Sequence, residues 1–78
     1  MIGCPVCFQP CEDLPAHEGG REVVCRSCGH FRVDAGLHAR LKSHMFLYRE
    51  ASRRLEERRR HAAVPVLGLG DVDLLQSR

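Results

Sequence analysis

The chain has 78 residues, 44% of them apolar, with 12 Lys or Arg against 10 acids and a formal charge of +2. A chain of this length forms one domain at most, and one core below about 70–80 residues contributes only about 3–5 kcal/mol of net stability unless a disulfide, a metal or oligomerisation adds to it. No apolar run approaches the roughly 20 residues that cross a bilayer, which argues against a membrane partner.

The start, Met1-Ile2-Gly3-Cys4, has neither the charged region nor the apolar region of a signal peptide, so the expected location is cytoplasmic. In a reducing compartment the five cysteines read as metal ligands before they read as disulfides. Four thiolates around one divalent ion contribute about −2, which cancels the formal charge, so bulk electrostatics give no general reason to expect nucleic-acid binding.

Cys4-Pro5-Val6-Cys7 and Cys25-Arg26-Ser27-Cys28 are two C-x2-C pairs separated by seventeen residues, a spacing that belongs to zinc sites. Two residues between ligands let a tight turn aim both sulfurs at one point and free backbone N–H groups to bond to them. Two such turns complete a tetrahedral shell. The chain resembles the zinc-ribbon superfamily through these two knuckles, CPVC and CRSCG, over roughly residues 1–33. The resemblance implies a ribbon fold and one structural Zn²⁺ on Cys4, Cys7, Cys25 and Cys28, and it implies no activity. Gly29 follows the second knuckle, where glycine adopts a strained backbone most easily; Phe8 stands where many first knuckles have glycine.

Between the knuckles, residues Gln9 to Glu18 form the first arm of a hairpin, Gly19-Gly20 the turn and Arg21 to Val24 the returning strand. His30 to Val33 add a third. Cys11, His17 and His30 are further potential ligands, and the spacing Cys7-x3-Cys11 permits Cys11 to replace Cys7 or to remain a spectator thiol. A redox pair and a rubredoxin-like iron site are the competing readings of the cysteines. The redox reading lacks the βαβ pattern that usually accompanies it.

Asp34 is placed to cap a helix, and the apolar recurrence predicts that helix over residues 35–62, with Pro65 as the stop. Such a helix would be roughly 40 Å long. On it Leu37, Leu41, Met45, Tyr48 and Leu55 share a sector roughly 80° wide, an apolar seam suited to packing within the chain or against a partner. Lys42, Arg49, Arg53 and Arg60 fall within about 40° of one another, and Arg40, Arg54 and Arg58 form a second stripe roughly 140° away.

Residues 34–63 carry eight Lys or Arg against four acids, whereas residues 1–33 carry three against four and residues 64–78 one against two. Arginine suits phosphate through its forked donors, but the pairs Glu50 to Arg54 and Glu56 to Arg60 also support a plain solvated helix. The helical segment has few interleaved aromatics, which favours duplex or structured-RNA backbone contacts over single-strand stacking.

The tail, Val64 onward, is too apolar for disorder: an extended segment, a turn at Gly68-Leu69-Gly70-Asp71 and a short element to Leu75, covering the helix or docking on a partner. The expected architecture is thus a small α+β fold: a three-stranded ribbon (residues 1–33), a long Arg-rich helix (34–63) and an apolar C-terminal segment (64–78). No Ser/His/Asp set, acid–base carboxylate pair or open metal position can be named, so a non-enzyme is expected. Its two candidate roles are an accessory or regulatory module that engages nucleic acid or a nucleoprotein complex through Lys42, Arg49, Arg53 and Arg60, and an adaptor or small homo-oligomer using the seam and tail.

Overall fold

The computed structural model describes residues 3–14 and 19–77; His17 and the end of the predicted first arm, residues 15–18, lie outside them. The fold is the small α+β arrangement expected, with an antiparallel ribbon at its N-terminus. Strand β1 (Cys11–Leu14) pairs with β2 (Arg21–Cys25), and β2 pairs with β3 (Gly29–Val33), both antiparallel. Alternation along β2 and β3 sends Val23, Cys25, Phe31 and Val33 inward, the period-two pattern of a sheet with one covered face. Gly19 has φ +80° at the turn that leads into β2, a conformation that glycine adopts without penalty.

Asp34 caps α1 (Ala35–Arg40), its Oδ1 accepting from the Leu37 N–H at 2.9 Å. Here the single helix expected over residues 35–62 gives way to three elements: α1, a strand β4 (His44–Phe46) and α2 (Tyr48–Arg59). Local bonding and packing together account for the break. The Ser43 N–H and hydroxyl both turn back to the Arg40 carbonyl, and the hydroxyl meets His44 Nδ1 at 2.9 Å, which is the local competition that serine offers a helix.

A straight rod of roughly 40 Å would also overrun a chain whose Cα atoms span 28 × 24 × 24 Å. Folding at residues 41–47 lets Leu37, Phe46, Ala51 and Leu55 all enter one core with Val6, Phe31, Leu67 and Leu74. Most helical stability in proteins comes from that kind of burial and not from propensity.

The C-terminal segment closes the molecule through two separate pairings. Strand β5 (Val66–Leu67) adds to the ribbon parallel to β3, and β6 (Leu75–Ser77) pairs antiparallel with β4. Between them a 3₁₀ segment (Leu69–Leu74) carries Asp71, which is only 3% exposed. Its carboxylate accepts from the Gly68 N–H and from Arg54 and Arg58, and Asp73 takes the remaining donors of Arg54 at 2.8 and 2.9 Å. Arg58 also donates to the Val66 carbonyl. The tail is therefore fastened to α2 by charge-assisted bonds around one buried acid, the arrangement that makes burying a carboxylate tolerable.

Burial by itself would raise the Asp71 pKa, but the bonds from Arg58, Gly68 and Arg54 outweigh it and hold the carboxyl below its usual range. A depressed carboxylate stabilises the fold fully above its unfolded pKa, about 4, and loses that contribution as pH falls through the lower folded value. Asp71→Asn is expected to cost about 3 kcal/mol at neutral pH, the low end for a buried pair because both arginine partners are partly exposed. The loss relative to the parent protein should shrink below about pH 4. Thermal melts of both proteins from neutral to acid pH check this, and a difference that stays constant with pH contradicts it.

Candidate metal centre

Each knuckle presents its two sulfurs by a different local device. The first is a turn closed by an isolated bridge between Gly3 and Pro10, with the Cys4 N–H donating to the Gln9 carbonyl at 2.8 Å and the Phe8 N–H to the Cys4 carbonyl at 2.9 Å. The second is the β2–β3 hairpin loop itself, since Cys25 ends β2 and pairs with Gly29 at the start of β3. Directly after the second cysteine of each knuckle the backbone turns left-handed: φ is +63° at Phe8 and +83° at Gly29. The same turn is thus made once by glycine without strain and once by phenylalanine with it.

Cys4, Cys25 and Cys28 are buried and Cys7 half-buried, and all four Sγ atoms lie within 4.8 Å of one another. The Cys4 and Cys28 sulfurs are 3.8 Å apart and the Cys7 and Cys25 sulfurs 3.5 Å. A regular tetrahedron with metal–sulfur bonds of about 2.3 Å has edges of about 3.8 Å, so the donor set fits a four-thiolate metal site. The electrostatics fit as well. The hydrogen bond between the Cys4 and Cys28 sulfurs lowers the Cys4 thiol to about 5 and pushes Cys28 well up, burial adding to the latter. A bound cation would stabilise all four sulfurs as thiolates. The cluster is consistent with a zinc-binding knuckle motif.

Cys11 lies opposite Cys25 in the β1–β2 register but outside the four-sulfur cluster. Arg21 Nη2 is 3.9 Å from its sulfur, and burial pushes its thiol up. His30 turns to Glu22, its Nε2 lying 2.5 Å from Oε2.

The other residues singled out from the sequence are dispersed by the break in the helix. Leu37 and Leu55 sit in the core and Leu41 packs against it, Met45 is half-buried on β4, and Tyr48 is exposed at the start of α2. Lys42 lies in the turn after α1, so only Arg49 and Arg53 on α2 and Arg60 at its C-cap remain in line. All three are exposed, and among the described residues their side chains make no hydrogen bond or ion pair. Of the second stripe, Arg54 and Arg58 are occupied by Asp71 and Asp73.

Arg59, which the periodicity placed in neither stripe, crosses from α2 to the second knuckle. Its Nη2 donates to the His30 carbonyl at 3.0 Å, and its guanidinium lies 2.8–2.9 Å from where a Cβ on Gly29 would be.

These contacts set two expectations for the knuckles. Phe8→Gly should raise the melting temperature by the equivalent of about 1 kcal/mol, because it removes the left-handed penalty, whereas Gly29→Ala should lower it by adding that penalty and displacing Arg59. Equal effects of the two substitutions in a thermal melt would contradict the reading. Cys25→Ser should abolish stoichiometric metal and unfold the ribbon, since binding energy is folding energy in such sites; a variant that keeps one bound metal and its melting temperature would refute it. No family model, curated protein or solved structure matches the chain, so its own residues are the whole ground for a role.

Proposed function

We propose that the protein is a non-catalytic zinc module, accessory or regulatory in role, that engages nucleic acid or a nucleoprotein complex through the open arginine stripe of α2. A tetrahedral four-sulfur site suits both zinc and iron. Zn²⁺ is the ion proposed because it brings no redox chemistry, in keeping with a site that joins two turns. With four thiolates bound, no position is left for the activated water of a catalytic zinc. Metal analysis with a visible spectrum distinguishes the ions: one zinc per chain and a colourless protein support the proposal, and a coloured iron protein contradicts it.

The observation that carries the functional reading is the unequal use of the arginines. Arg54 and Arg58 are occupied by the tail's acids, while Arg49, Arg53 and Arg60 point to solvent along one face of α2. At about 100° per residue that face spans about 40°. On the same wheel Glu56 falls about 20° beyond one edge of it, and Glu57 and Glu50 about 40° and 60° beyond the other. Exposed guanidiniums without internal partners are suited to phosphate. The alternative adaptor role would use Leu37, Leu41, Met45, Tyr48 and Leu55, and the burial of Leu37 and Leu55 favours the first reading over it.

Replacing Arg49, Arg53 and Arg60 together by glutamate should abolish retention on duplex DNA and structured RNA at low salt. In the parent protein, affinity should fall steeply with salt, with a logarithmic slope of about −3 if three phosphates are contacted. Unchanged retention of the variant would overturn the reading, and a salt-resistant oligomer that binds neither nucleic acid would favour the adaptor.

A further inference from the structure

Of the four aromatic side chains, three Phe and one Tyr, Phe31 and Phe46 fill the core. The other two meet at one surface groove. Phe8, 54% exposed, and Tyr48, 53% exposed, line a groove of about 300 Å³ together with Val6, Cys7, Gln9 and Ser27, at the lower end of the range for ligand clefts, about 300–1,000 Å³. We propose that this groove seats an unpaired nucleobase, so that the preferred ligand of the arginine face contains single-stranded nucleotides. The inference rests on the function proposed above and names the ligand class for it.

Packing does not account for Phe8. Its side chain stays more than half exposed while its backbone holds φ +63°, a conformation that glycine adopts freely and phenylalanine at a penalty. Backbone strain that is not offset by burial clusters at binding sites. The charge around the groove selects the occupant. Among the described residues no carboxylate lines it. Arg49 directly follows Tyr48 and Arg26 directly precedes Ser27, and both are exposed and unpaired among the described residues.

Glu50, in the first turn of α2, lies about 200° around the helix from Tyr48, on its far side. Two exposed aromatic side chains, with exposed arginines next in sequence to two of the groove's residues, suit a base with its phosphates, the combination on which proteins bind single strands. The amide of Gln9 and the hydroxyl of Ser27 offer donors and acceptors to the base edge.

The test uses the metal-loaded full chain and fluorescence anisotropy of labelled oligothymidylate and oligouridylate of about ten nucleotides, beside a labelled duplex, at low salt. The single strands should bind more tightly than the duplex, and preference between the two oligomers distinguishes DNA from RNA as the source of the base. Tyr48→Ala and Phe8→Gly should each weaken single-strand binding about tenfold and leave duplex binding in place, with Tyr48→Phe restoring it.

Tyr48 is the only tyrosine in a chain without tryptophan, so its fluorescence should be quenched as the oligomer saturates. Both positions are more than half exposed, and an unchanged metal content with a retained melting transition shows that each variant is folded. Equal affinity for single strand and duplex, insensitive to both substitutions, overturns the inference and leaves the arginine reading standing. Loss of binding to both ligands in the parent protein overturns both.

Discussion

Everything in this small fold depends on joining two turns that have little else to hold them together. The first knuckle is closed on itself by one bridge and backbone bonds within residues 3–10 and is bonded to the ribbon by Arg21, whose Nη2 donates to the Gly3 carbonyl at 2.9 Å, and the second is a hairpin loop. Four sulfurs drawn within 4.8 Å would repel one another as thiolates without a cation among them. With a metal, that repulsion becomes coordination, and Val6 and the buried cysteines are fixed against Phe31 and the rest of the core. A chain of this length has a thin stability margin, so the free energy of metal binding belongs to the fold itself and is not an addition to it.

A second fastening works from the opposite end of the chain. Asp71 gathers Arg54 and Arg58, and the two short strands of the tail close on β3 and β4. This fastening also divides the arginines. Those on one side of α2 become structural, while those on the other side, and Tyr48 at the helix start, remain available. The same helix thus serves stability along one edge and keeps the other open, and the surface that the proposed function uses is defined by what the tail leaves unpaired.

The four-cysteine cluster is legible because such a grouping is written in short-range spacing: two C-x2-C pairs seventeen residues apart point to it. The ribbon strands followed from the glycine turn and the alternation around Val23 and Phe31. The helix was overextended because periodicity at Leu37, Leu41, Met45 and Tyr48 fits a continuous rod, and nothing local reveals that His44–Phe46 will pair with Leu75–Ser77. For the same reason the sequence does not reveal that Arg54 and Arg58 of the second stripe are paired, since the acids that occupy them lie more than ten residues further along the chain. The signal at Phe8 was visible as a departure from glycine after a knuckle. Tyr48 gives no such signal, because its spacing places it in an apolar seam that the folded chain does not form.

The most direct test of the metal centre is titration of the metal-stripped protein with Co²⁺, which reports its ligands by colour, followed in parallel by circular dichroism. The account predicts that one equivalent produces the intense thiolate-to-metal and ligand-field bands of a tetrahedral four-sulfur site, and that the ribbon folds in step with the colour. A stripped protein that is already fully folded, or a spectrum showing fewer than four thiolates, would contradict it.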